Sequence, residues 1–249
     1  LEDGAKGFLV RLHNNLDSAL IHKATLSNLN IYSNISLINY GRTYIVYLYN
    51  TESIIDNIEI YDNHMGMGAY NTSADILLES ENSQPSLSNI NAYNNIIDHG
   101  IKIIYSNPVL MYNIILDNSG GIFIGGSDDF IIKNITIQNF NTDTQAEIMN
   151  IVFSNNVKIG NLNLLNNITN DWGGGVVSEN SSNIIISNAL ISGNISEGIG
   201  AAILVGPMGN LKLINSTIIN NTVTEPYDNI EMEVVAYYSD IEILNSIIW

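Results

Sequence analysis

Aliphatic residues recur along the chain in a short alternating frame that ends on asparagine. Nine asparagines carry it: Asn28, Asn57, Asn89, Asn113, Asn134, Asn161, Asn188, Asn215 and Asn245. An aliphatic residue usually stands four before each, another two before it and a third three after it, and a second Asn often follows six after it. Leu211-Lys212-Leu213-Ile214-Asn215, continuing to Ile218 and Asn221, is a clean copy; so is Ile184-Ile185-Ile186-Ser187-Asn188, continuing to Ile191 and Asn194. Alternation is a strand period rather than a helical one, and the isoleucines that dominate it suit a pleated surface. Asn then bends the strand, because its short amide tolerates a left-handed backbone. A further short strand precedes each frame: Tyr44–Leu48, Ile76–Leu78, Ile101–Ile104, Ile122–Ile124, Ile148–Phe153, Gly175–Val177, Ala202–Val205 and Val234–Ala236.

From Asn134 to Asn215 the frames are 27 residues apart; elsewhere the spacings are 29, 32, 24, 21 and 30. Three short strands per period of this length predict a solenoid, a parallel β-helix. One turn alone cannot bury its inner face, so stacking supplies the core. The expected fold is therefore all-β: a right-handed single-stranded parallel β-helix of about nine turns of roughly 27 residues. It forms one domain over Leu1–Trp249, a rod on the order of 40 Å long. The hand follows the usual chirality of parallel crossovers. Amides at Asn161, Asn188 and Asn215 are expected to stack and hydrogen-bond from turn to turn. On that view Asn188→Leu costs roughly 1–3 kcal/mol by leaving a neighbour unpaired.

Composition narrows the function classes. The chain has 249 residues, 45% of them hydrophobic, with eight basic residues and a net charge of -17. That charge argues against nucleic acid and anionic membranes as partners, and permits cation binding. Cysteine is absent, which excludes disulfides and a thiolate nucleophile. Leu1-Glu2-Asp3 does not open a secretory leader, and no apolar run reaches membrane-spanning length. The chain reads as an internal or mature segment. Asn245-Ser246-Ile247-Ile248-Trp249 stops in mid-turn, so further turns or a cap in a parent protein are expected against that open edge. Asn-X-Ser/Thr triplets such as Asn34-Ile35-Ser36 and Asn215-Ser216-Thr217 fall partly on the repeat's own asparagines, where a ladder explains them better than glycosylation does.

Several units resemble a known family. Trp172-Gly173-Gly174-Gly175-Val176-Val177, followed by Asn183 to Asn194, is similar to the right-handed β-helix repeats of bacterial secreted and surface proteins. So is Gly198-Ile199-Gly200-Ala201-Ala202-Ile203 leading to Ile214 through Asn221. The pattern resembles that of polymorphic outer-membrane proteins and of large pectate-lyase-like surface proteins, over roughly Ser18 to Trp249. The resemblance implies the fold. It leaves activity open, because lyases, hydrolases, phage tailspikes and non-catalytic adhesins share that architecture.

Catalytic sets are incomplete. A lyase needs an acidic calcium site and a base; Lys6, Arg11, Lys23, Arg42, Lys102, Lys133, Lys158 and Lys212 have no acid cluster beside them in sequence. Lys133, Lys158 and Lys212 alternate with inward isoleucines or leucines and are expected to point outward. Asn141-Thr142-Asp143, Ser127-Asp128-Asp129 and His99-Gly100 resemble polygalacturonase fragments, but in reversed order. A solenoid maps sequence order onto height, so reversal would scramble that site. The histidines lack zinc spacing, and the Gly-rich stretches do not open helices, as a phosphate cradle would require.

One constellation remains. Asp98, Asp117, Asp143, Asp171, Glu197 and Asp228 lie 15, 17, 18, 17, 18 and 17 residues before the next frame Asn. Stacked, they would form an acidic stripe. Asp117, Asp143 and Asp171 are the candidate calcium ligands, since calcium takes hard oxygen ligands. Asp143, Asp171, Trp172, Glu197 and Asp228 are the candidate glycan contacts, with Trp172 offering a ring to a sugar face. No cofactor is required, with calcium the one candidate ion. The expected function is a non-catalytic segment of a bacterial cell-surface or secreted protein, extracellular, acting as a stalk, adhesive or glycan-binding surface. Its expected partners are an extracellular polysaccharide, a host or neighbouring cell surface, and further β-helix turns. The alternatives are a glycoside hydrolase or polysaccharide lyase, for which the segments Tyr61–Asp75 and Thr142–Gln145 would wall a groove, and a phage tailspike body.

Overall fold

The computed structural model describes residues 6–13, 22–33, 35–36, 42–65, 75–97, 99–107, 109–142, 148–170, 173–225 and 232–249. They form a parallel β-solenoid, with no helix among them. One sheet stacks nine strands: Lys6–His13, Arg42–Tyr49, Asp75–Glu81, His99–Ile104, Gly121–Gly125, Met149–Val152, Val176–Glu179, Ile203–Val205 and Val234–Ala236. The second stacks His22–Tyr32, Thr51–Tyr61, Ser86–Tyr93, Val109–Asp117, Phe130–Gln138, Lys158–Leu165, Ile184–Ser187, Asn210–Ile214 and Asp240–Leu244. Every pairing is between parallel neighbours one turn apart.

The third side is less complete than the repeat implies. Paired third segments occur at Ile35–Ser36, His64–Met65, Ile96, Asn141–Thr142, Ile168–Thr169, Ile195–Ser196 and Thr222–Val223. The solenoid thus has about seven closed turns of about 27 residues, not the nine expected. Near Ser119 the third side is a bend rather than a strand, and the last turn ends at Trp249. The spacing of 21 residues after Asn113 leaves too little chain for a third strand.

The frame residues do what their types require. All nine frame asparagines adopt φ between 49° and 58°. Within the second sheet this bend lets Met111, Ile114 and Leu116 all face inward, where Asn113 itself turns out. Their register partners Leu87, Ile132 and Ile159, and Ile90, Ile135 and Leu162, continue the same columns, all buried. Burying the whole column is what stacking achieves and a single turn cannot.

Each turn has at least two more left-handed corners, and they carry a second set of stacks. Just after the first corner stand Ser83, Ser106, Ser127, Ser154 and Ser181, all buried. The backbone N–H of each donates to the next Oγ, at 3.1, 2.9, 3.1 and 3.1 Å in order. At the third corner the asparagines six after the frame do the same work. Asn167 donates its amide to Asn194 at 2.9 Å and Asn194 to Asn221 at 3.0 Å, and each backbone N–H uses the same acceptor. Asn63, Asn95 and Ser119 form a matching stack nearer the start. Phe140 fills the turn between, and its N–H donates to Asn167 Oδ1.

The frame ladder itself lies on the surface. Its amides bond from Asn57 to Asn28, and continuously from Asn188 through Asn161, Asn134 and Asn113 to Asn89, at 2.7–3.2 Å. At Asn89 the acceptor switches to Asp56, whose carboxyl is held below its usual range by hydrogen bonds from Ser88 and then Asn89. No such bond joins Asn215 to Asn188 among the described residues, so that expected step is missing. These bonds are exposed, and breaking one leaves no group stranded from water.

The consequence is a contrast between two asparagines six apart. Asn188→Leu should cost about 1 kcal/mol, chiefly because leucine lacks the short polar side chain that lets asparagine adopt the left-handed region. Asn194→Leu should cost about 3 kcal/mol or more. It orphans the N–H of Asn167 and the carbonyl of Leu164 in the interior. Denaturant unfolding of the two variants measures the difference, and equal losses would contradict it.

Candidate functional site

Most of the expected stripe lies outside the described residues: Asp98, Asp143, Asp171, Trp172 and Asp228. So do residues 66–74 and 143–147, within the segments expected to wall a groove. Asp117 and Glu197 are described, and the fold does not bring them together. Asp117 ends a strand of the second sheet. Its register partners in successive turns are Gln138, Leu165 and Ser192, five residues short of Glu197. Nearly equal offsets from the frame Asn thus do not give equal height and face, because turns differ in where their extra residues fall. Both Asp117 oxygens accept amide protons, from Gln138 and Asn139 at 2.9 Å, so this carboxylate is a rung of a polar ladder. Glu197 is half-buried, held through its backbone to Thr169 and Glu225. Among the described residues no three His, Asp or Glu side chains converge to hold a metal ion.

The outer face of the first sheet carries a cluster that sequence separation hid. Tyr47, Glu79, Lys102 and Phe123 are register partners in four successive turns. Lys102 Nζ lies 3.9 Å from Glu79 Oε2 and 5.5 Å from the centre of the Phe123 ring. Tyr47 donates its hydroxyl to Glu81 at 2.7 Å; burial first, and that bond second, push the phenol well above its ordinary range. Lys102 therefore has an acid partner 23 residues away, as Lys212 has Glu242 at 3.0 Å. The solenoid's register supplies the pairing that local sequence lacks. Yet the Glu79 and Lys102 side chains are only 1% and 12% exposed. A substrate cannot reach such a pair, and its effect is to hold the outer face together.

The accessible feature is on the second sheet. Asn113, Asn134 and Asn161 of the frame ladder and Ile115, Thr136 and Asn163 line an open depression of about 320 Å³. One wall is a row of amides already linked at 2.8 Å to each other; the other mixes a methylene surface with a hydroxyl and an amide. The amide wall recurs in three successive turns, whereas the facing wall changes residue at each, from Ile115 to Thr136 to Asn163. Beyond it, Tyr32, Tyr61 and Tyr93 stack face to face, 5.1 and 4.9 Å apart with planes 7° and 3° from parallel. Their faces are used on one another. Partial desolvation, then the charges of Glu59 and Asp62, raise the Tyr93 phenol.

If the Glu79–Lys102 pair is structural, Lys102→Met should destabilise by about 3 kcal/mol, since it leaves a buried carboxylate without its cation. Adding Glu79→Leu should recover most of that loss. Chemical denaturation of the single and double variants reads this, and an additive double loss would refute the coupling. Comparison of the chain with protein-family models, with curated proteins and with solved structures finds no match.

Proposed function

We propose that this chain is a non-catalytic segment of a cell-surface or secreted β-helix protein, of the pectate-lyase-like kind, presenting a glycan-binding surface to the extracellular space. The observation that supports this most directly is the depression along Asn113, Asn134 and Asn161, whose amide wall repeats turn by turn. A catalytic centre draws different groups to one point. A surface that repeats along an axis instead suits a ligand that repeats, such as a polysaccharide. Amides and hydroxyls can both donate to and accept from sugar hydroxyls, and Ile115 gives apolar surface to the sugar ring's C–H groups. The excess of acids, 25 against eight basic residues, disfavours anionic partners. Asp143, Asp171, Trp172, Glu197 and Asp228 stand as further candidate contacts, with calcium as the ion that Asp143 and Asp171 would take up.

A glycan array followed by affinity electrophoresis in soluble polysaccharides tests the reading. Retention by at least one glycan is expected, and Ile115→Asp should weaken it about tenfold by putting charge against the sugar. Release of reducing ends or unsaturated products from any polysaccharide would move the assignment to an enzyme. Absence of retention throughout would remove glycan binding.

A further inference from the structure

The first corner of each turn is set by one left-handed residue. In half of the turns it is of a type that adopts this conformation at low cost: Asn50, Asn82, Gly126 and Asn180. Tyr105, Phe153, Met208 and Tyr238 depart from that, at φ 48°, 50°, 55° and 48°. A bulky side chain in this region is an outlier that some other interaction must offset. Burial does not offset it here, because the four are 65, 66, 75 and 79% exposed. Neither the backbone nor the core accounts for them.

Three of the four are regularly spaced, and Tyr238 stands in the turn directly after Met208. Along this corner the N–H of Tyr105 donates to Gly125, that of Gly126 to Val152, that of Phe153 to Glu179, that of Asn180 to Pro207 and that of Met208 to Tyr238. Bulky residues therefore occupy every second turn at Tyr105, Phe153 and Met208, with Gly126 and Asn180 between. Two turns span about 10 Å. The Tyr105 ring packs against Gly126, where an added β-carbon would meet its ring atoms at 2.5 Å. Glu179 folds over Gly206, where a β-carbon would meet its Oε1 at 2.9 Å. A carboxylate thus stands beside the row between Phe153 and Met208.

This row is one residue wide and broken by glycine and asparagine. A protein partner needs a broad patch of about 800 Å² on each side, which the row does not offer. A linear polymer needs only a line. Exposed aromatic rings suit the C–H face of a sugar, and an adjacent carboxylate accepts its hydroxyl protons. Two turns match the length of a disaccharide in an extended β-linked chain. Glu179 and the net charge of -17 repel polyanions.

We infer that Tyr105, Phe153 and Met208 form a stacking face for a neutral, extended β-linked polysaccharide, one disaccharide to every two turns. The inference rests on the glycan-binding reading above and gives it a second face and a ligand class. Calorimetric titration with the hexasaccharides of β-1,4-linked glucose and of β-1,4-linked N-acetylglucosamine tests it, with oligogalacturonate as the anionic counter-probe. At least one neutral hexasaccharide should bind and oligogalacturonate should not. The double variant Tyr105→Asn/Phe153→Asn installs the residue other turns use. It should lose about tenfold or more in affinity with an unchanged or raised Tm. A lower Tm would assign the rings to packing and overturn the inference, as would preference for oligogalacturonate. Equal binding by the double variant, with loss in Ile115→Asp, would place the ligand in the other depression and leave the general reading standing. A positive glycan array without either neutral hexasaccharide would also sink the inference alone; no glycan binding at all would sink both.

Discussion

The structure depends on satisfying the backbone where it turns. A solenoid of this width must bend three times per turn, and each bend carries a peptide group out of the strand ladders. Buried without a partner, such a group costs free energy comparable to a lost hydrogen bond. Here the partner is a side chain from the next turn: Ser106 accepts from the backbone of Ser83, and Asn194 from that of Asn167. The accepting group then uses its own proton or amide to cap a carbonyl, as Ser154 does to Val152 and Asn194 to Leu164. A short polar side chain at a fixed height serves two turns at once. That locks the register, and the register in turn aligns the aliphatic columns that make the core.

The same constraint separates the two kinds of asparagine. Frame asparagines such as Asn134 are chosen for their backbone, φ 58°, and their amides meet on the outside. Those six later, such as Asn194, are chosen for their side chains, which are enclosed. Phe140 shows what happens when one is replaced: the stack ends, and the aromatic ring fills the space while its N–H still reaches Asn167. Function can then occupy whatever the ladders leave free. The inner faces are fully committed, so the variable outward positions carry the surface chemistry, including the depression beside Asn134 and the row at Tyr105 and Phe153.

Much of this was legible in the chain itself. Alternating aliphatics and the recurring Asn determined the parallel solenoid, the position of the bends and the inward columns, because strand period and left-handed tolerance are properties of single residues and their near neighbours. The strands expected at Tyr44–Leu48, Ile101–Ile104 and Ile122–Ile124 all fall within observed strands. What only the tertiary structure decided is which residues of different turns share a height and a face. Turn lengths vary, so nearly equal sequence offsets placed Asp117 and Glu197 at different positions, whereas Glu79 and Lys102, 23 residues apart, became neighbours. Exposure was decided there too: nothing in the local sequence told the outer ladder at Asn188 from the enclosed one at Asn194, or showed that Tyr105 and Phe153 occupy corners rather than strands. Those properties belong to the stack, since each depends on what the preceding and following turns cover.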